Sequence, residues 1–230
     1  MADETGKRTA GDLLQAAQSR LAEVGVATPR RDARLLLAAA MGIDETALLA
    51  EPAHPVSADA AARFDEFVDR RRARMPVSRI LGEREFWSLS FQIGPGVLDP
   101  RPDSETLVEA ALAHVDAAPA GRSGAWRVLD LGTGSGCLLL ALLSELPNAT
   151  GLGLERDSEA AALARANAAR HGLRDRAEIR TEGWDTFAGS RFDLILANPP
   201  YVPTAEIARL DSEVAQHDPV VALDGGPDGL

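Results

Sequence analysis

Between residues 127 and 197 the chain alternates short apolar runs with alanine- and leucine-rich stretches of helical spacing. This alternation limits the fold more than any other feature. Arg127-Val128-Leu129-Asp130-Leu131 reads as a strand, and a glycine turn leads from it into a helix through "LLLALLSEL", 138 to 146. Ala149 to Glu155 reads as a second strand, Ser158 to His171 as a second helix, Ala177 to Thr181 as a third strand and Phe192 to Ala197 as a fourth. Strands alternating with helices predict a mainly parallel sheet covered on both faces. In such sheets the ligand sits beyond the carboxyl ends of the strands, here after Leu131, Leu154, Thr181 and Ala197.

The stretch before this sheet is different. Residues 10 to 75 are alanine-rich, with Leu13, Leu14, Ala17 and Leu21, then Leu35 to Ala39, then Phe64, Phe67 and Val68 at helical spacing. Gly25, Gly42 and the 51–55 stretch punctuate them, which predicts a small bundle of short helices over 1–75. The basic run Arg70-Arg71-Arg72 with Arg74 reads as a solvated helix end. "REFWSLSFQIGPGVLDPRP" then alternates Phe86, Leu89, Phe91 and Ile93 with polar or small residues, a hairpin or extended linker over 76–100. Asp103 or Ser104 is expected to cap a helix running to about Val115, which opens a third region, 101–230.

Charge and cysteine usage narrow the function. The net charge of the 230 residues is -11, which disfavours a partner held through phosphates, since binding along a nucleic-acid backbone uses clustered Lys and Arg. Cys137 is the one cysteine, so an internal disulfide is excluded, and it makes no metal cluster with His54, His114, His171 and His217. There is no signal-peptide pattern and no stretch near the roughly 20 apolar residues of a membrane span. The chain reads as a soluble, cytoplasmic, monomeric protein.

"VLDLGTGSGCLLL" places Gly132, Gly134 and Gly136 between strand and helix, where backbone can approach a ligand and a helix start offers free N–H groups. A dinucleotide fingerprint wants glycine or alanine at the sixth position, and Cys137 stands there, so NAD and FAD are disfavoured. About twenty residues on, Glu155 ends the second strand, where a carboxylate can accept from both hydroxyls of a ribose. Asp130 either accepts from loop N–H groups or faces a cofactor ammonium, and Cys137 reads as a small core residue.

The fourth strand ends in Asn198-Pro199-Pro200-Tyr201. Loop, acid and tetrapeptide together resemble an S-adenosylmethionine-dependent methyltransferase, whose cofactor carries a nucleoside but no pyrophosphate. A planar nitrogen is a poor nucleophile because its lone pair is delocalised. Two acceptors on its N–H groups orient it and localise that pair. The Asn198 side-chain oxygen and the Pro199 carbonyl suit this, the prolines fix the backbone, and Tyr201 can lie flat against the planar group.

Such a tetrapeptide serves adenine, guanine and glutamine acceptors alike. "PVSRILGEREFWSLSFQI" (76–93), "VLDPRPDSETLVEAAL" (97–112) and "HDPVVALDGGPDGL" (217–230) decide between them, because they resemble the release-factor glutamine N5-methyltransferases, the HemK/PrmC family. The resemblance covers nearly the whole chain. It implies a Rossmann-like methyltransferase sheet behind a helical N-terminal domain and a hairpin. It also implies methyl transfer from S-adenosylmethionine to N5 of the glutamine in the Gly-Gly-Gln loop of peptide chain release factors. Cofactor contacts fall by resemblance on Gly132, Thr133, Gly134, Ser135, Gly136, Glu155, Trp184 and Asn198, and the substrate grip on Asn198, Pro199, Pro200 and Tyr201, with no metal. Residues 10 to 75 would dock the release factor or serve as a scaffold.

Four departures mark this sequence. Glu155 replaces the more usual Asp, and Gly183 in "TEGW" stands where the family often has an acid, with Glu182 one place early. Asp99 replaces an apolar residue in the usual "VLIPRP". The chain stops at Leu230, where a sheet of this type is expected to continue for about fifty residues with a helix, a strand and a terminal hairpin. The competing expectations are a nucleic-acid adenine or guanine N-methyltransferase, which needs a basic groove, and a non-catalytic fragment that binds cofactor or partner without turnover.

Overall fold

The computed structural model describes residues 8–189 and 191–229, so Leu230 lies outside the described residues. The chain forms two compact units that divide between Leu81 and Gly82.

The first unit is helical: α1 (Ala10–Glu23), α2 (Pro29–Met41), α3 (Glu45–Ala50), α4 (Ala58–Arg72) and α5 (Val77–Leu81). Thr9 starts α1 with a capping box shared with Asp12, and Gly42 ends α2 in the left-handed conformation. The spaced leucines and Phe64 and Val68 meet in one buried cluster. The basic run is only in part the solvated helix end that its charge suggested, since Arg72 at the end of α4 is exposed but its neighbour is not. Arg71 is buried, and its Nε donates to Asp32 at 2.6 Å. Arg74 donates to the carbonyls of Val24 and Gly25. Helix α4 presents Arg71 on its core side, so the carboxylate on α2 balances a charge that could not otherwise be buried.

The second unit opens with a hairpin of β1 (Glu83–Phe86) and β2 (Leu89–Gln92). Its two turn residues are Trp87 and Ser88, at φ 53° and 58°, the left-handed pair that a tight two-residue hairpin turn demands. The Trp87 backbone N–H donates to Glu105 and its indole Nε1 to Glu145, which holds this non-glycine turn in place. Helix α6 spans Glu105–Ala117. The expected cap does not form: Pro102–Ser104 is already a 3-10 turn, so Ser104 is helical and makes no capping bond. Proline's fixed φ starts the helical path early.

The sheet follows, with β3 (Arg127–Leu131), α7 (Cys137–Glu145), β4 (Thr150–Glu155), α8 (Ser158–Arg170), β5 (Ala177–Thr181), β6 (Leu194–Ala197) and the short α9 (Ser212–His217). All four strands run parallel in the order β5-β4-β3-β6. Coverage differs from expectation. Helices α6, α7 and α8 share one large core with Val128, Ile179 and Leu196. The opposite face, Leu129, Leu152 and Leu154, is packed by Leu131, Phe187 and Phe192. Alternation along the strands sends these two sets to opposite faces. Among the described residues the helices therefore cover one face. Strand β6 forms an edge, and Ile195 on it is 63% exposed.

The strand order positions the site. The chain steps from β3 to β4 to β5 in one direction, then crosses to the other side of β3 for β6. The switch point lies between β3 and β6, so the loops after Leu131 and Ala197 flank the crevice where open sheets bind ligands.

Candidate functional site

The glycine loop after β3 is pinned by its neighbour strand. Gly132 and Thr133 both donate backbone N–H groups to the Leu154 carbonyl at 2.9 Å, and Gly136 donates to Thr133. Asn167 on α8, fully buried, donates to the Ser135 carbonyl and exchanges two hydrogen bonds with the Gln92 backbone. One amide thus ties loop, helix and hairpin together. Nothing in the spacing of α8 separated it from a surface asparagine.

Asp130, 1% exposed, accepts from the Thr133 hydroxyl at 2.6 Å. Burial pushes its carboxyl up to about 6; the Thr133 hydroxyl pulls it back and Glu155 adds to the rise. Thr133 and Ser135 are buried, so they offer the crevice mainly backbone. Glu155 accepts from the Gly134 and Asp157 N–H groups, each at 3.0 Å, which fixes its carboxylate at the end of β4. Cys137 is the first residue of α7 and packs against the core, and burial raises its thiol to about 12. It is a neutral filler.

Gly132, Thr133, Gly134, Ser135, Cys137 and Glu155 line a cleft of about 820 Å³ together with Trp184, Gly183 and Asp185; Gly136, Asp130 and Asn167 are not in its lining. A side chain at position 132 would meet the Trp184 ring at 2.8 Å, and Gly132 has φ 69°, so ring and loop are matched by the missing Cβ. Gly183 is the place of the absent acid. The Asp185 carboxylate sits where a side chain at 183 would begin, so the cleft carries an acid there from two residues further on.

Beyond β6, Asn198 Nδ2 donates to Ser104 Oγ at 3.4 Å. Its Oδ1 accepts no hydrogen bond among the described residues. The backbone carbonyl of Pro199 likewise accepts no backbone hydrogen bond there. The tetrapeptide is held from behind by the return of the chain. Val202 donates to Leu223, Gly225 to Val202 and Thr204 to Gly226. A Cβ on Gly225 would lie 2.9 Å from the Pro200 carbonyl and from the Tyr201 Cα, so only glycine lets the return segment lie this close. Pro199 and the 67% exposed Tyr201 line a second cavity of about 400 Å³.

Asn198, Ser104, Arg101, Leu98 and Ala222 line both cavities. The sequence pointed to Asn198 alone of these five. Arg101 pairs with Asp218, which is buried, and lies 3.9 Å from the carboxylate of Asp99. Asp99, the acid in a usually apolar position, is buried and also faces Arg84 at 3.8 Å. The signal for these residues was carried only by whole-segment likeness in "VLDPRPDSE" and "HDPVVALDGG", because no local pattern pairs Arg101 with an aspartate 117 positions away.

Known proteins bear on this site. Residues 12–82 match the model of the PrmC N-terminal domain, and residues 108–216 match the methyltransferase small domain. A release factor glutamine methyltransferase of Rhodospirillum rubrum is 48% identical over 96% of this chain and 66% of its own length. Proteins of the same name from Agrobacterium fabrum and Caulobacter vibrioides are each 45% identical, over 98% and 94% of this chain and 78% and 73% of their own. The chain thus spans 66% to 78% of the length of these relatives.

Proposed function

Since the chain belongs to the release factor glutamine methyltransferase family, we propose that it transfers a methyl group from S-adenosylmethionine to the side-chain nitrogen of a glutamine in peptide chain release factors. One observation carries the reading: Asn198 lines both cavities, so a single amide borders the larger cleft and the smaller one.

The residues present fit the cofactor. A cleft of about 820 Å³ is within the range of sites that enclose a small molecule. Its glycine loop offers backbone N–H groups, Glu155 a fixed carboxylate for ribose hydroxyls, and Trp184 a ring held against Gly132 for a planar base. When bound, S-adenosylmethionine supplies a methyl group on a positively charged sulfur. The chain holds the acceptor. Ser104 occupies one N–H of Asn198 and so assigns Oδ1 as an acceptor toward the substrate amide. The Pro199 carbonyl provides a second acceptor, on backbone fixed by two prolines. With both substrate N–H groups bound, the nitrogen lone pair is turned toward the cleft. Tyr201, exposed at the rim, packs on the amide plane. Bound S-adenosylmethionine would supply the methyl to this nitrogen and leave as S-adenosylhomocysteine, and the proton would pass from the methylated nitrogen to solvent. No base of unusual pKa is required, and positioning supplies most of the rate. Residues 10–75 are assigned to docking of the release factor, in keeping with the match to the PrmC N-terminal domain.

The test is to incubate the chain with S-adenosylmethionine and an unmodified release factor and to map the product by peptide mass spectrometry. A single added methyl on the glutamine of the Gly-Gly-Gln loop is expected. Methyl on another residue, or only on added nucleic acid, overturns the reading.

A further inference from the structure

Arg101 borders both cavities with its arm fixed by Asp218. Its Nη2 donates to Asp218, whose side chain is 1% exposed, and the Asp99 backbone N–H reaches the other oxygen of the same carboxylate at 3.4 Å. The Arg101 side chain itself is 36% exposed. Its Nε makes no hydrogen bond among the described residues, and its Nη1 has only the Asp99 carboxylate, at 3.9 Å. A guanidinium carries five N–H donors in a rigid fork. This one is anchored through Nη2, keeps donors outside that bond, and belongs to a side chain that borders both cavities.

Charge decides what those donors suit. Asp218 already balances the guanidinium, so its pull on a further anion is reduced, while its donors remain strong toward a neutral carbonyl. The acceptor's own amide oxygen is a poor partner: donation to it draws the nitrogen lone pair further into the carbonyl and weakens the nucleophile. Main-chain carbonyls beside the glutamine are free of that objection, and glycines leave theirs unshielded.

We propose that Arg101, held by Asp218, is a specificity-determining residue that grips the main-chain carbonyls flanking the acceptor glutamine. This rests on the glutamine reading given above and adds the part of the substrate that the tetrapeptide does not touch. The cofactor contacts argued above fall on the glycine loop, Glu155 and Trp184, so loss of Arg101, which borders both cavities, should appear in substrate affinity more than in cofactor affinity.

The experiment measures two quantities on the full chain. Calorimetry with S-adenosylhomocysteine present gives the affinity for an unmodified release factor, and the methylation assay gives kcat and KM. Arg101→Gln should weaken release-factor binding and raise KM by about 10- to 100-fold, the range of a lost charge-assisted hydrogen bond. Cofactor Kd and kcat should stay within about twofold. Arg101→Lys should recover only part of the loss, since a point charge does not replace a fork. Asp218→Asn, which keeps Arg101 but frees its arm, should give an intermediate loss and stands in if the Arg101 variants fail to fold. Wild-type affinity and KM in Arg101→Gln overturn the inference and leave the glutamine reading intact. So does a parallel loss of cofactor affinity and kcat at constant KM, which marks a purely structural tie. A wild-type chain that binds release factor through Arg101 but methylates elsewhere overturns the glutamine reading instead. A wild-type chain that does not bind release factor overturns both.

Discussion

The loop after β3 and the tetrapeptide after β6 flank the same crevice, yet they are built in opposite ways. The glycine loop is fixed by what comes next in the chain: the Leu154 carbonyl and Glu155 on β4, and Asn167 on α8. The tetrapeptide is fixed by one stretch far earlier in the chain and by one that follows it. Its asparagine meets Ser104, 94 positions earlier, and the return segment lies behind its prolines. The cofactor cradle is therefore built, in chain order, from the segments that follow β3, β4 and β5. The acceptor grip is assembled from three separate stretches, so it should fail independently of the cradle.

A pair of glycine substitutions tests that independence. Gly132→Ala forces a side chain into the Trp184 ring at a left-handed backbone position. It is expected to weaken cofactor binding by tenfold or more, on the order of the 1–2 kcal/mol that such a backbone costs plus the clash. Gly225→Ala drives a methyl into the Pro200 carbonyl. It should reduce turnover by about 10- to 100-fold, the cost of a misplaced reacting group, with a much smaller change in cofactor affinity. Calorimetry and initial rates on both variants read the split. Equal losses of both quantities in both variants would break the comparison.

A smaller effect concerns stability and is confined to the cradle. Burial holds the Asp130 carboxyl at about 6, above its ordinary 3.8. Below pH 4 both folded and unfolded chains keep this proton. Between pH 4 and 6 the unfolded chain gives it up while the folded chain retains it, so stability falls as pH rises, and the cost is complete above pH 6. A shift of roughly two units amounts to about 3 kcal/mol at most. Asp130→Asn keeps an acceptor for Thr133 and should flatten the fall between pH 4 and 6 in denaturant titrations. An unchanged slope would mean that the carboxyl is ionised at little cost.

What the sequence made legible follows the same division. Strand β3, its glycine turn, Glu155 and the tetrapeptide were readable because each is a local pattern with a physical meaning. The hairpin was readable as alternation, but its turn at Trp87 and Ser88 was not, since neither residue favours positive φ and the hydrogen bonds that hold them come from α6 and α7. Arg71 was misread for a related reason. A charge run looks solvated until the fold supplies Asp32. Ser104 looked like a helix cap, and Pro102 moved the helix start before it, which released its hydroxyl to Asn198. Helices on both faces were expected from the alternation, and the opposite face holds Phe187 and Phe192 among the described residues. Arg101, Asp99 and Asp218 were invisible as a group because the ion network joins positions more than a hundred residues apart.

The most direct measurement is on Asn198→Ala, with cofactor Kd by calorimetry and kcat for release-factor methylation on the same preparation. The expected result is a kcat lower by about 10²- to 10³-fold, the scale of one lost transition-state hydrogen bond, with Kd within about twofold of wild type. Turnover at the wild-type rate would contradict the acceptor grip. Loss of kcat and cofactor binding together would show that Asn198 belongs to the cradle and not to the grip.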